Sequence, residues 1–118
     1  PQRGTGMSAP RLNRQLVLEA PNVLGDGAGG FVQGWVPLGM VWAEVKPRSG
    51  RETAQSGAPI STFGYRVIVR ATPVGSSERP AAQQRFREGA RIFNIEAVAE
   101  YDPAGRYLLC LVQEEQVV

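Results

Sequence analysis

Histidine is absent from the 118-residue sequence, and cysteine and lysine occur once each, as Cys110 and Lys46. Without histidine the chain cannot use Ser-His or Cys-His catalysis, and it cannot build a histidine-based metal site. A single cysteine excludes both an intrachain disulfide and a cysteine-rich zinc site. No apolar run approaches the roughly 18 residues that would span a bilayer. We therefore expect no enzymatic activity, no cofactor, no metal and no membrane association.

The chain also lacks a large excess of charge of either sign, because its formal net charge is only +2. Nearly all the basic residues are arginine, the side chain better suited to binding phosphates and carboxylates bidentately. So small an excess does not by itself indicate a nucleic-acid-binding protein. Cys110 lies in the apolar run YLLCLV, where a free cysteine is typically a small buried hydrophobe.

The sequence contains 14 glycines and nine prolines, which is typical of a turn-rich chain rather than a helical bundle. Residues 11–19, RLNRQLVLE, alternate between apolar and polar side chains, as in a strand with one buried face. Strands are predicted at 11–19, 40–46, 61–72, 83–87, 91–100 and 106–115, with an interrupted, edge-like piece over 31–39. This pattern predicts an all-β fold, a small antiparallel barrel or sandwich of about six strands. Residues 1–10 are expected to form a flexible arm and residues 11–118 a single domain.

Two loops stand out between these strands. The segment 20–30, APNVLGDGAGG, is predicted to be a turn-rich loop without the spacing of a phosphate-binding loop. The segment 47–60, PRSGRETAQSGAPI, is polar and lacks apolar periodicity. A loop of this length in a compact domain is long enough to suggest a function, although a plain surface connection is the alternative.

Several outward-facing residues are candidates for contacts. Arg66 and Arg70 lie four apart on one strand face, which is either an ordinary solvated surface or, repeated around a ring, a basic band. Glu96 and Glu100 share the same spacing and are interpreted as a solvated outer face. Three apolar residues of the interrupted segment either pack on the core or remain exposed for assembly: Val36, Leu38 and Met40.

The order of segments resembles the phage head–tail joining family, also called head-closure or stopper proteins. The resemblance covers about residues 11–115, and none of its motifs is catalytic. It rests on the early strand, the DGAGG turn, Trp35, the run WAEV with Pro47 and Gly50, the strand YRVIVR, and RIFNI leading into a turn and a final apolar strand.

The resemblance implies a small barrel that forms a ring, expected to be hexameric, in the neck of a tailed phage or a gene transfer agent. The portal adaptor would lie above this ring and the tail terminator or tail below it. The particle would be assembled in the bacterial cytoplasm. The long loop would face the channel and help to retain packaged double-stranded DNA, without reading its sequence. The loop residues assigned to this role are Arg48, Gly50, Arg51, Glu52, Gln55 and Ser56, with Arg66 and Arg70 as a candidate basic face.

Two other functions are compatible with the sequence. Another ring of the neck or tail tube, such as a tail terminator, would have a similar composition. A small OB-like barrel that binds single-stranded nucleic acid would place aromatic side chains on a basic sheet face. The predicted alternation instead puts Phe63 and Tyr65 opposite Arg66 and Arg70, which disfavours that alternative.

Overall fold

The computed structural model describes residues 9–48 and 63–115, and within these ranges the chain forms six strands and no helix. The strands are β1 Arg14–Gly25, β2 Phe31–Pro47, β3 Phe63–Arg70, β4 Arg85–Glu88, β5 Arg91–Glu100 and β6 Tyr107–Glu114. All neighbouring strands are antiparallel, in the order β1-β2-β3-β6-β5-β4, and β1 pairs with β4 to close the barrel. The predicted all-β barrel is confirmed, and the pairing of residues 17–19 of β1 with β4 closes its sheet.

The core fills the barrel interior with side chains from every strand. Its fully or almost fully buried members are Leu16, Leu18, Ala43, Val67, Val69, Phe86, Phe93, Ile95, Leu108, Cys110 and Val112. On β1, β3 and β6 they occupy alternate positions, as the period of two in a strand requires. Cys110 is one of these core residues, as predicted, and burial raises the pKa of its thiol to about 12.

The first correction to the sequence prediction concerns residues 20–30. Residues 20–25 were predicted to be loop, but they continue β1 and pair with 31–36 of β2, so that only 26–30 form the turn. Pro21 is tolerated because β1 pairs with β4 only up to Glu19, which makes the rest of β1 an edge. Residues 20–36 therefore form a β-hairpin, called the hairpin below.

The second correction concerns the interruption at Pro37 and Gly39. These residues were predicted to separate two pieces, but β2 is continuous. Leu18 pairs with Gly39 and Glu19 with Pro37, so Leu38 is an extra residue in a β-bulge. The bulge turns Leu38 onto the core, while Val36 and Met40 stay exposed. Of the three apolar residues considered for assembly, Leu38 therefore packs on its own core, and Val36 and Met40 remain available for contacts.

A second bulge overturns the predicted common face of Glu96 and Glu100. The register of β5 with β6 shifts between Ile95 and Ala97, which inserts one residue and reverses the alternation. Val98 consequently packs against the core, whereas Ala97 is exposed. Both glutamates are exposed, as expected of a solvated surface, but they do not share a strand face.

The two unusual connections leave opposite ends of the barrel. The strands alternate in direction, so the β2–β3 connection lies at the end that contains the start of β1 and the end of β6. We call this the loop end. The hairpin extends from the other end, the hairpin end, together with the β3–β4 and β5–β6 connections.

Candidate functional site

Arg48, the one predicted loop residue that the structure describes, folds back onto the barrel. Its backbone N–H donates to the carbonyl of Gly64 at 3.0 Å, and its guanidinium donates to the carbonyl of Val112 at 3.4 Å. The same guanidinium lies 3.6 Å from the carboxylate of Glu96. Gly64 allows this path, because a Cβ atom there would lie 2.5 Å from Nε of Arg48. Arg48 thus fixes the start of the connection to three strands.

The other predicted loop residues lie outside the described ranges: Gly50, Arg51, Glu52, Gln55 and Ser56. Their proximity to a channel therefore stays a prediction. The structure does fix where their segment joins the barrel, after Arg48 and before Phe63 at the loop end.

Two charge pairs line the loop end. The Arg91 guanidinium donates to both carboxylate oxygens of Glu114, at 2.8 and 3.0 Å, and lies 4.9 Å from the ring centroid of Phe93. Arg14 binds Glu88 in the same bidentate way. Hydrogen bonds from these arginines hold the pKa of Glu114 and of Glu88 below the ordinary value. The pairs connect β1, β4, β5 and β6 around the rim from which the connection starts.

The two arginines of the candidate basic face are exposed on β3. Arg66 and Arg70 both point outward, and Arg70 lies 5.8 Å from the ring centroid of Tyr107. Register places Lys46 of β2 directly beside Arg66, a neighbour that sequence reasoning did not include. Ile68, between the two arginines, is nonetheless buried, although it is not part of the core cluster. The face therefore consists of two basic positions at the loop end and one at the hairpin end.

The segment before β1 lies on the barrel surface. The backbone N–H of Arg11 donates to Glu44 at 3.2 Å, and Ala9 and Pro10 line a hollow with Tyr101 and Tyr107. Residues 1–8 of the predicted arm lie outside the described ranges.

The aromatic arrangement does not resemble a platform for stacked bases. Tyr65 packs edge-on against Phe93 of the core, with ring centroids 5.5 Å apart, as the alternation predicted. The side chain of Phe63 is not described. Trp42 is exposed, but the residues that line a groove with it include no other aromatic side chain.

A charge cluster that sequence reasoning missed braces the base of the hairpin. Glu19 was predicted to face solvent, but it is only 5% exposed, because Arg85 and Arg87 cover it with hydrogen bonds of 2.7 and 2.9 Å. Burial opposes its ionisation, yet these two hydrogen bonds hold the pKa of Glu19 below its ordinary value. Arg85 also stacks on the ring of Trp35 at 4.0 Å. The alternation RFR around Phe86 was the available signal, since it places both arginines on one face.

The hairpin itself carries the largest set of exposed apolar side chains in the described chain. They are Val23, Leu24, Phe31, Val32 and Val36, between 38% and 75% exposed. A second exposed pair, Met40 and Trp42, follows on the outer face of β2. Exposed apolar surface of this kind is typical of a protein–protein contact.

The described residues contain no group of three or more potential ligands that could hold a metal ion. No helix long and apolar enough to cross a membrane occurs among them. The described surface offers exposed apolar side chains and basic positions.

Comparison with known proteins gives a consistent result. The phage head completion protein family matches residues 7–115. A chain in the virion of a native gene transfer agent particle is 51% identical, with a TM-score of 0.76, over 93% of this chain and 100% of that one. A protein from Shigella flexneri 2a, solved in solution, is 25% identical, with a TM-score of 0.64, over 92% and 96% of the two chains. No curated protein matches the sequence at a significant level.

Proposed function

We propose, from the premise that the chain belongs to the phage head completion protein family, that it forms a ring that closes the head and receives the tail. It is a structural protein of the head–tail region of a phage-like particle. The proposal adds a specific place, between the portal adaptor and the tail, and a specific task, retention of packaged DNA.

The observation that carries the proposal is the extent of the two similarities. The family match spans the barrel, the hairpin and the long connection, and the gene transfer agent chain is covered in full. A barrel with exposed apolar and basic patches is suited to assembly rather than to chemistry.

Retention of DNA is assigned to the connection between β2 and β3. Arg48 fixes the start of this connection. The pairs of Arg91 with Glu114 and of Arg14 with Glu88 fix the rim of the barrel from which it leaves. Copies arranged with their loop ends towards one axis would bring several connections into a narrow space. There the connection would act sterically, and Arg51 would offer non-specific contacts to phosphates.

The proposal is tested by DNA retention in particles that carry a changed connection. One variant lacks residues 50–57, and a matched variant keeps their number but replaces them with glycine and serine. Arg48 stays in both, so the barrel is preserved. We expect the deletion to give tailed particles that have lost nuclease-protected DNA. Loss of DNA in both variants would show that retention depends on the side chains of residues 50–57. Loss of DNA in the deletion alone would show that it depends on the length of the connection.

The opposite result is equally informative. If both variants protect as much DNA as the unchanged chain, the connection is not the stopper. The chain would then serve as a docking ring only.

A further inference from the structure

The hairpin is a two-stranded ribbon that pairs with no other strand of the described chain. β1 pairs with β4 only at 17–19, and β2 pairs with β3 only from Ala43 onward, so residues 20–25 and 31–36 pair with each other alone. An isolated two-stranded ribbon is marginally stable in water, so its apolar surface calls for a partner. Its base is nevertheless held in place by the stack of Arg85 on Trp35.

Both faces of the ribbon are apolar, which is unusual for a hairpin beside solvent. The register puts Leu24, Val32 and Val36 on one face, and Val23 and Phe31 on the other. Asp26, in the turn, is the one charged residue among residues 20–36. A hairpin that lay flat on one surface would need only one apolar face. Two such faces indicate that the ribbon is inserted between surfaces.

A groove on the same chain has matching chemistry. Its lining includes three apolar residues, Leu12, Met40 and Trp42. Arg70 at the end of β3 also lines it, together with Thr72 and Glu78 from the segment after β3. Glu78 lies beside Gly39, where an added Cβ atom would come within 3.4 Å of it, so this segment follows the edge of β2. The groove runs along the outer face of β2 and reaches the hairpin end of the barrel through Arg70, Thr72 and Glu78.

We infer that the hairpin of one copy seats in the groove of a second copy of this chain. A ring contact joins two different patches of the same protein, and the chain presents two such apolar patches. The hairpin extends from the hairpin end, and the groove reaches that end. Rotation about the ring axis, with all hairpin ends at one height, can therefore bring the hairpin of one copy to the groove of the next. The inference rests on the proposed ring and assigns its subunit contact.

The size of the hairpin agrees with this assignment. Its five exposed apolar side chains present roughly 500 Å², if about 150–200 Å² is taken for each complete side chain. A standard interface buries about 800 Å² on each partner. The hairpin would thus supply more than half of one side of such an interface, and Met40 and Trp42 would supply apolar surface on the other.

Cysteine cross-linking in assembled particles tests the contact directly. Gln33→Cys lies in the middle of the ribbon and Gln15→Cys lies beside Trp42 at the groove, and both glutamines are exposed. Within one chain they cannot be joined by a short bismaleimide, since eight strand positions, roughly 26 Å, separate Gln15 from the partner of Gln33. The buried Cys110 does not compete for the reagent.

The expected result is a ladder of covalent multimers from the double variant. The matched control combines Gln33→Cys with Ala90→Cys, which is exposed in the β4–β5 turn at the loop end, and it should give no ladder. Changing Val23 and Phe31 to serine should reduce the ladder by more than about tenfold, because burial of these side chains drives the contact. Phe31→Leu alone, which keeps an apolar side chain at this position, should give the same ladder as the unchanged hairpin.

Two results would overturn the inference, and they are distinguishable. If the chain is present in the particle neck but Gln33→Cys links to a different protein or to nothing, the hairpin contact is wrong and the proposed function stands. If the chain is absent from purified particles, the proposed function fails and the inference fails with it.

Discussion

At the scale of single residues, arginine–carboxylate pairs link the strands of this small barrel to one another. Glu19 is the most buried of these carboxylates, and two arginines of β4 bind it from one side. The half-buried pairs of Glu88 and Glu114 repeat the arrangement at the opposite end. The pairs of Glu19 and Glu88 join β1 to β4, the two strands that close the barrel, so they report on its closure. The pair of Arg91 with Glu114 joins β5 to β6.

Removal of the Glu19 carboxylate should destabilise the barrel. Glu19→Ala leaves Arg85 and Arg87 without their shared partner, and Arg85 is largely buried, so we expect a loss of about 2 kcal/mol in the free energy of unfolding. Urea denaturation measures this loss. Glu100→Ala is the control, because Glu100 is exposed, and it should change the value by less than about 0.5 kcal/mol. Equal effects of the two substitutions would show that the cluster is not stabilising.

Acid should weaken the fold through the same carboxylates. The pKa values of Glu19, Glu88 and Glu114 are all lowered in the folded chain from the ordinary value of 4.5. Their stabilisation is therefore complete above pH 4.5 and is lost as the pH falls through the lower folded-state values. Melting temperatures measured from about pH 7 down to about pH 3 should stay level and then fall below pH 4.5. A steady melting temperature throughout would contradict the pairing.

Cys110 gives a separate test of packing. Its thiol is fully buried and its pKa is raised to about 12, so almost no thiolate exists at neutral pH. A thiol reagent should leave the folded chain unmodified and label it fully in denaturant. Rapid labelling of the folded chain would mean that β6 opens readily.

At the scale of elements, the bulges and the hairpin show what pattern reasoning captured and what it missed. The alternation predicted the inward positions of Leu16 and Leu18 in β1 and of Val67 and Val69 in β3, because a strand has a period of two. The bulges at Leu38 and near Ile95 could not be predicted, since they arise from pairing with a distant strand. The hairpin was missed because the glycine-rich turn was extended over Val23 and Leu24, although apolar residues flank GDGAGG on both sides. The channel role of the long connection came from resemblance alone.

The crossing of Arg48 over Gly64 gives a prediction for the base of the connection. Gly64→Ala should displace the Arg48 guanidinium and cost up to about 1 kcal/mol, the worth of its partly exposed contacts to Glu96 and Val112. In an Arg48→Ala background the same substitution should cost nothing. A double-mutant cycle by urea unfolding measures this coupling. Additive effects would contradict the packing of Arg48 over Gly64.

The hairpin should open independently of the barrel once the stack of Arg85 on Trp35 is removed. Trp35→Ala deletes the platform for Arg85, and a stacked cation of this kind is worth roughly 1–2 kcal/mol. Amides of 20–25 and 31–36 should then exchange about tenfold faster, while those of β3 and β6 keep their protection. Hydrogen exchange read by mass spectrometry separates the segments, and Val74→Ala, at an 85% exposed position, is the control. Equal acceleration everywhere would place Trp35 in the common core instead.

At the scale of the whole molecule, the barrel holds two extensions at opposite ends. The loop end carries the ion-paired rim and the connection assigned to DNA, and the hairpin end carries the apolar ribbon and the groove assigned to a neighbouring copy. This polarity fits a ring whose subunits face an axis with one end and join through the other. The membership of the head completion family is consistent with such an assembly.

The most direct test of this account is a cryo-electron microscopy map of the neck of particles from cells that make the protein. The account predicts a ring of this chain between the portal adaptor and the tail, with the loop ends towards the channel and each hairpin on the next subunit. A neck that contains no copy of the chain, or a ring with its loop ends directed away from the DNA, would contradict it.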